Sequence, residues 1–141
     1  MKLLPLLAVL LLAGCATSDS AKERPSPAGV YRETTNVPPM FIMEEFRLKP
    51  DGSGTNRLSS TLMKKGKKVS AAKGKGQGKW YFRDKRLYYE STNVFTSELE
   101  NIKSPITRTM THIFEIDANG DLLRIPPKGH PYVAGRFVKQ R

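Results

Sequence analysis

From Gly29 onward, apolar and polar positions alternate in short runs separated by turn residues. In FIMEEFRLK, Ile42, Phe46 and Leu48 fall on one face, and Glu45, Arg47 and Lys49 on the other. That period of two is the signature of a half-buried strand. GVYRET before it and GTNRLSSTLM after it read the same way. GKWYFR puts Trp80 and Phe82 opposite Lys79, Tyr81 and Arg83, and RLYYES alternates through Leu87 and Tyr89. ITRTMTHIFEID aligns Ile106, Arg108, Met110, His112, Phe114 and Ile116 on one face. DLLRIP and YVAGRFVKQ close the series. The turn chemistry between runs is Pro50-Asp51-Gly52, Asp84-Lys85 and Asp117-Ala118-Asn119-Gly120. Only Glu98 to Lys103 has the makings of a short helix.

This spacing predicts about eight strands and an all-β domain over residues 29–141. Sequential hairpins are the simplest connectivity, and closure removes exposed sheet edges. The expected fold is a single up-and-down antiparallel β-barrel of about eight strands. The aromatics Tyr31, Phe46, Trp80, Phe82, Tyr89, Phe114 and Phe137 are its expected core. Their size favours a filled or narrow interior.

The first residues follow a different pattern. Lys2 precedes an apolar run from Leu3 to Gly14, too short to span a bilayer as a helix and suited to the h-region of a signal peptide. The run ends in Leu12-Ala13-Gly14-Cys15, and Cys15 is the only cysteine. This segment resembles the lipobox of bacterial lipoproteins. The resemblance implies cleavage after Gly14, removing residues 1–14, and lipidation of Cys15 with diacylglycerol and a further acyl chain such as palmitate. More than one chain makes a stable anchor. Residue 16 is Ala rather than Asp, which by the same resemblance implies an outer-membrane lipoprotein with its domain facing the periplasm. Residues 15–28 form the lipidated cysteine and a tether. ATSDSAKERPSP has linker composition and spans roughly 20 Å as a flexible coil. With Cys15 taken by lipid, neither a disulfide nor a cysteine metal site is expected in the domain.

GVYR, FRLKPDGSGT, GKWYFRDKRLYYES, FEIDANGDLLRI and GRFVKQR occur in the order of the short motifs of lipocalin-like bacterial domains. The chain resembles that group over residues 29–141. The resemblance implies the barrel and says little about activity.

Charge narrows the partners. Without Lys2, 23 basic residues stand against 13 acidic ones, a net charge of +10. Such a field attracts anions. In an envelope these are phospholipid headgroups, lipopolysaccharide phosphates or acidic polymers; the anchor argues against nucleic acid. The densest stretch is KKGKKVSAAKGKGQGKW, with Lys64, Lys65, Lys67, Lys68, Lys73, Lys75 and Lys79. Lys64 to Gln77 reads as a long mobile hairpin loop, self-repelling and unable to bury itself. These seven lysines are the candidate anionic-surface site, against a plain solubilising role.

Little points to an enzyme. His112 and His130 stand on separate elements, with His112 on an apolar face. No G-x-S-x-G elbow is present, and GKGQG lacks the Lys-Ser/Thr ending of a phosphate loop. Glu44/Glu45 and Glu98/Glu100 read as solvated faces. The expectation is a non-enzymatic binding or structural lipoprotein, without metal or cofactor, that binds an anionic or amphiphilic envelope component. The alternative is a protein-interaction module, such as an inhibitor or an envelope assembly or stress factor. Barrel-type lysozyme inhibitors often carry a disulfide, and related copper-stress lipoproteins a Cys-x-x-Cys pair, both absent from this sequence.

Overall fold

The computed structural model describes residues 24–97, 105–129 and 135–141. Eight strands follow one another: β1 (Gly29–Val37), β2 (Met40–Leu48), β3 (Ser53–Lys64), β4 (Lys67–Arg83), β5 (Arg86–Ser97), β6 (Ile106–Ile116), β7 (Leu122–Arg124) and β8 (Arg136–Lys139). Each pairs antiparallel with the next, and β8 pairs back onto β1, so the sheet closes as an up-and-down barrel. No helix occurs among the described residues. The short helix expected over Glu98 to Lys103, the first residues of YVAGRFVKQ, and the signal segment with Cys15 all lie outside them.

The turns form where the sequence places turn chemistry. Asp84 and Lys85 both take positive φ, 48° and 66°, the left-handed pair that joins strands with a right-handed twist. The Asp117 carboxylate accepts hydrogen bonds from the backbone N–H of Asn119 and Asp121, at 2.8 and 3.0 Å, and Gly120 supplies the positive φ that closes the loop.

One expectation is corrected. Lys64 to Gln77 is not a mobile loop. β3 runs to Lys64, Lys65-Gly66 turns the chain, and the remainder is the first two thirds of β4, the longest strand. The reason is the alternation in Lys73-Gly74-Lys75-Gly76-Gln77-Gly78-Lys79. The lysines and Gln77 face water, while the glycines face inward. Large side chains from neighbouring strands fill the space the glycines leave. The Phe95 ring lies over Gly74, and the Asn56 and Asn93 side chains lie over Gly76. The lysine stems thus remain solvated while the backbone is satisfied in a ladder on both sides.

The core sits at one end of the barrel. Tyr31, Phe46, Leu48, Leu87, Tyr89, Phe114, Leu122 and Phe137 are buried there, with Trp80, Phe82 and Ile116 packed against them. Phe46 is the hub. The rings of Tyr89, Phe114 and Phe137 meet it edge-on, with centroids 5.6, 5.2 and 5.1 Å away. This geometry sets ring edges against ring faces and adds to the gain from burial. The expected aromatic core is therefore present, with Trp80 and Phe82 only partly buried.

The two ends of the barrel differ. At the core end lie the β2–β3, β4–β5 and β6–β7 turns. The described chain also enters there: the Arg24 guanidinium stands 5.4 Å from the Phe82 ring centroid, and Tyr31 Oη donates to the Pro27 carbonyl at 2.8 Å. At the other end stand the β1–β2 and β3–β4 hairpin tips.

Candidate functional site

Inward positions along β2 show how the interior changes with height. Leu48 and Phe46 are buried in the core, Glu44 and Ile42 are half-buried, and Met40 is 46% exposed. Glu44 marks a charged layer directly above the aromatic one. It pairs across the ladder with Glu33 on β1, and its Oε2 lies 2.7 Å from Arg124 Nη2. The contact is off the line of the N–H bonds, so neither Nε nor Nη2 of Arg124 completes a hydrogen bond within the protein. The guanidinium rests on aromatic faces instead, with Cζ 4.7 Å from the Phe137 centroid and 5.8 Å from that of Phe46.

Two carboxylates share this one cation, and a histidine stands within reach of its charge. Burial pushes the Glu33 carboxyl above its ordinary range; Arg124 pulls against this and Glu44 adds to it. His112 faces the interior, as its place among Phe114 and Ile116 suggested, and is 8% exposed. Burial, reinforced by the Arg124 charge, pushes its imidazole down to about 3. His112 is neutral in the fold, and its Nε2 has no hydrogen-bond partner within the protein.

The sign of the resulting pH dependence is fixed. The unfolded chain takes up a proton at His112 near pH 6.5, while the fold refuses it until about pH 3. Between those values the unfolded state binds more protons, so acidification destabilises the fold by up to about 1.4 kcal/mol per pH unit from this group. His112→Leu should flatten the decline in urea stability between pH 7 and pH 4. Parallel declines in variant and parent would refute the assignment.

Beside this layer a polar ladder is fully partnered. Tyr89 Oη donates to Asn56 Oδ1 at 3.2 Å, Asn56 Nδ2 to Asn93 Oδ1 at 2.7 Å, and Asn93 Nδ2 to Ser91 Oγ at 2.8 Å. Glu45, on the outer face, is only 4% exposed because Arg32 and Arg47 clamp it at 2.6 and 2.7 Å. Their hydrogen bonds, Arg32's foremost, hold its carboxyl below the usual range. Neither Glu44 nor Glu45 is therefore a solvated face, which corrects that reading; Glu98 and Glu100 lie outside the described residues.

All seven candidate lysines are exposed, but they occupy two places. Lys64, Lys65, Lys67 and Lys68 cluster at the β3–β4 tip. Lys73, Lys75 and Lys79 form a stripe down the outer wall of β4, level with Ser59, Arg57 and Ser53 of β3. Two shallow depressions on that wall both include Gln77 and Lys79 and open to solvent. Between Asp51 and Asp84 the chain carries nine Lys or Arg and no acidic residue. Beside the lysine tip stands an apolar one that the sequence reading did not single out. Val37 is 64% exposed, Met40 46%, and Phe41 and Leu62 37% each. Strand register brings the two tips together: Met40 pairs with Leu62, and Met63 N–H donates to the Pro39 carbonyl at 2.8 Å. VPPMF carried the available signal, because three large apolar residues flank the Pro38-Pro39 turn at a hairpin tip.

Among the described residues no group of three or more His, Cys, Asp or Glu is placed to hold a metal ion. His130 lies outside them. No protein-family model, curated protein or solved structure matches the chain.

Proposed function

We propose that this protein is a lipid-anchored lipoprotein of the bacterial outer membrane, held by lipidated Cys15, with its barrel in the periplasm. Its role is non-enzymatic: it binds an anionic or amphiphilic envelope component. The observation that carries the reading is the segregation of charge onto the β3–β4 hairpin, where the cations between Asp51 and Asp84 face no acidic residue of their own hairpin. The hairpin's excess of positive charge, which Glu45 opposite Arg57 and Glu90 opposite Lys79 offset only in part, attracts anionic surfaces and is weakened by salt.

The test is co-sedimentation of residues 19–141, which hold every strand of the closed barrel and its whole core and so fold on their own. The partners are phosphatidylcholine vesicles with and without phosphatidylglycerol, at low and high salt. Binding is expected to the anionic vesicles alone and to vanish at high salt. Absence of binding at low salt would overturn the reading.

A further inference from the structure

The lysines alone are compatible with any polyanion. The apolar tip beside them is not. Val37, Met40, Phe41 and Leu62 gain nothing from a hydrated polysaccharide or a soluble phosphate, whereas hydrocarbon at a bilayer interface removes them from water. Apolar residues flanked by lysines are an arrangement that binds a membrane surface through partial burial plus attraction to anionic lipid. Resting on the anionic-partner reading above, we propose that the paired tips of β1–β2 and β3–β4 insert into an anionic lipid bilayer, with the tip end of the β4 lysine stripe against the same surface.

The two parts of this surface lie on one strand, with buried Ala71 between them. The outward stripe Lys79, Lys75 and Lys73 climbs β4 toward Lys68 and Lys67 at the tip. Val69 is the extra residue of a register shift opposite Leu62 and Met63, and it is 42% exposed. The bulge swells the tip at the level where the apolar side chains emerge. Residues 34–43 contain no charged side chain and residues 58–75 no acidic one, so nothing in either hairpin tip opposes an anionic headgroup.

The orientation also fits an anchor at Cys15. The tips lie at the end away from Arg24, and β3 with its twelve residues is about 37 Å long. The nine residue-to-residue steps from Cys15 to Arg24 reach about 32 Å at most. A barrel standing upright on the anchored membrane would hold its tips clear of that membrane. A barrel tilted toward its β3–β4 hairpin brings the tips and the tip end of the stripe to the same bilayer.

The test uses residues 19–141 in three forms against phosphatidylcholine/phosphatidylglycerol vesicles: Phe41→Trp, Met40→Ser/Phe41→Ser, and the parent. Trp80 sits at the opposite end, its indole N–H donating to the Lys49 carbonyl, and serves as an internal background. Lipids brominated in the acyl chains should quench the Phe41→Trp emission and leave the parent's emission unchanged. The double serine variant should bind vesicles about tenfold more weakly, as expected for two partly buried apolar side chains, while retaining parental affinity for heparin. Unquenched Phe41→Trp together with parental vesicle binding by the serine variant would overturn insertion and leave the electrostatic reading standing. Binding to heparin but not to vesicles would overturn it in favour of an acidic polymer. Failure to bind either would remove both readings.

Discussion

Gly78→Ala is expected to destabilise the barrel by about 3 kcal/mol or more, the upper end of the cost of forcing extra atoms into a packed site. A methyl group at this position meets main chain rather than side chain. It falls on the Glu90 carbonyl oxygen and within 2.7 Å of Ser91 Cα, both on the strand that pairs with Gly78. Neither can rotate away, so the β4–β5 ladder itself must open. Gly76→Ala is a milder case, because the atoms in its way are the side-chain oxygens of Asn93 and Asn56, which can swing aside at the expense of their mutual hydrogen bond. Gly120→Ala is the control. Its φ of 83° disfavours alanine, but nothing lies within 4 Å, so the cost stays near 1 kcal/mol. Urea unfolding of the three variants should rank Gly78 far above Gly120. Equal midpoints for the two would mean that β4 and β5 are not in close contact at this level.

The same strand shows where sequence reading succeeded and where it stopped. β2, β6 and the aromatic half of β4 were legible because large apolar residues alternate there with charged ones, and the barrel order followed from the turns between them. The lysine half of β4 alternates as strictly, but with glycine in the inward place, and composition masked the period. Glycine carries no apolar signal of its own. Its fitness for that face depends on Phe95, Asn93 and Asn56, which arrive from other strands. The charged layer was hidden for a related reason. Glu44 shares the apolar face of Ile42 and Phe46, and Arg124 the face of Leu122, so each stood as a single exception within its own strand. Only the closed barrel brings the two exceptions within 2.7 Å of each other. The apolar rim was missed because exposure, unlike hydrophobicity, is a property of the folded wall.

Arg124→Met should lower stability at pH 7 by about 3–5 kcal/mol, the usual cost of stranding a buried charge. Methionine can cover the Phe137 face that the guanidinium leaves, so packing is largely kept and the loss is mostly electrostatic. What remains is Glu33 beside Glu44 with no cation between them. Two consequences separate this account from simple loss of packing. First, adding Glu44→Gln to Arg124→Met should recover much of the loss, whereas Glu44→Gln alone leaves the arginine with Glu33 only and is itself destabilising. The double-mutant cycle should therefore show strong coupling. Second, the pH dependence should shift. A carboxyl whose folded value is raised stabilises the fold below its unfolded value, and that stability is lost as pH rises through the folded value. Glu33 already behaves this way, and removing Arg124 takes away the charge that pulls it back down. The variant should thus regain stability relative to the parent as pH falls from 7 toward 5. His112 adds to the trend only at lower pH: without the Arg124 charge the folded imidazole takes up a proton more readily, but burial, the larger cause, still keeps it neutral at pH 5. Urea titrations at pH 7 and pH 5 measure both effects. A deficit independent of pH, with the Glu44→Gln change merely additive, would show that Arg124 acts as filler rather than as the counter-charge of this layer.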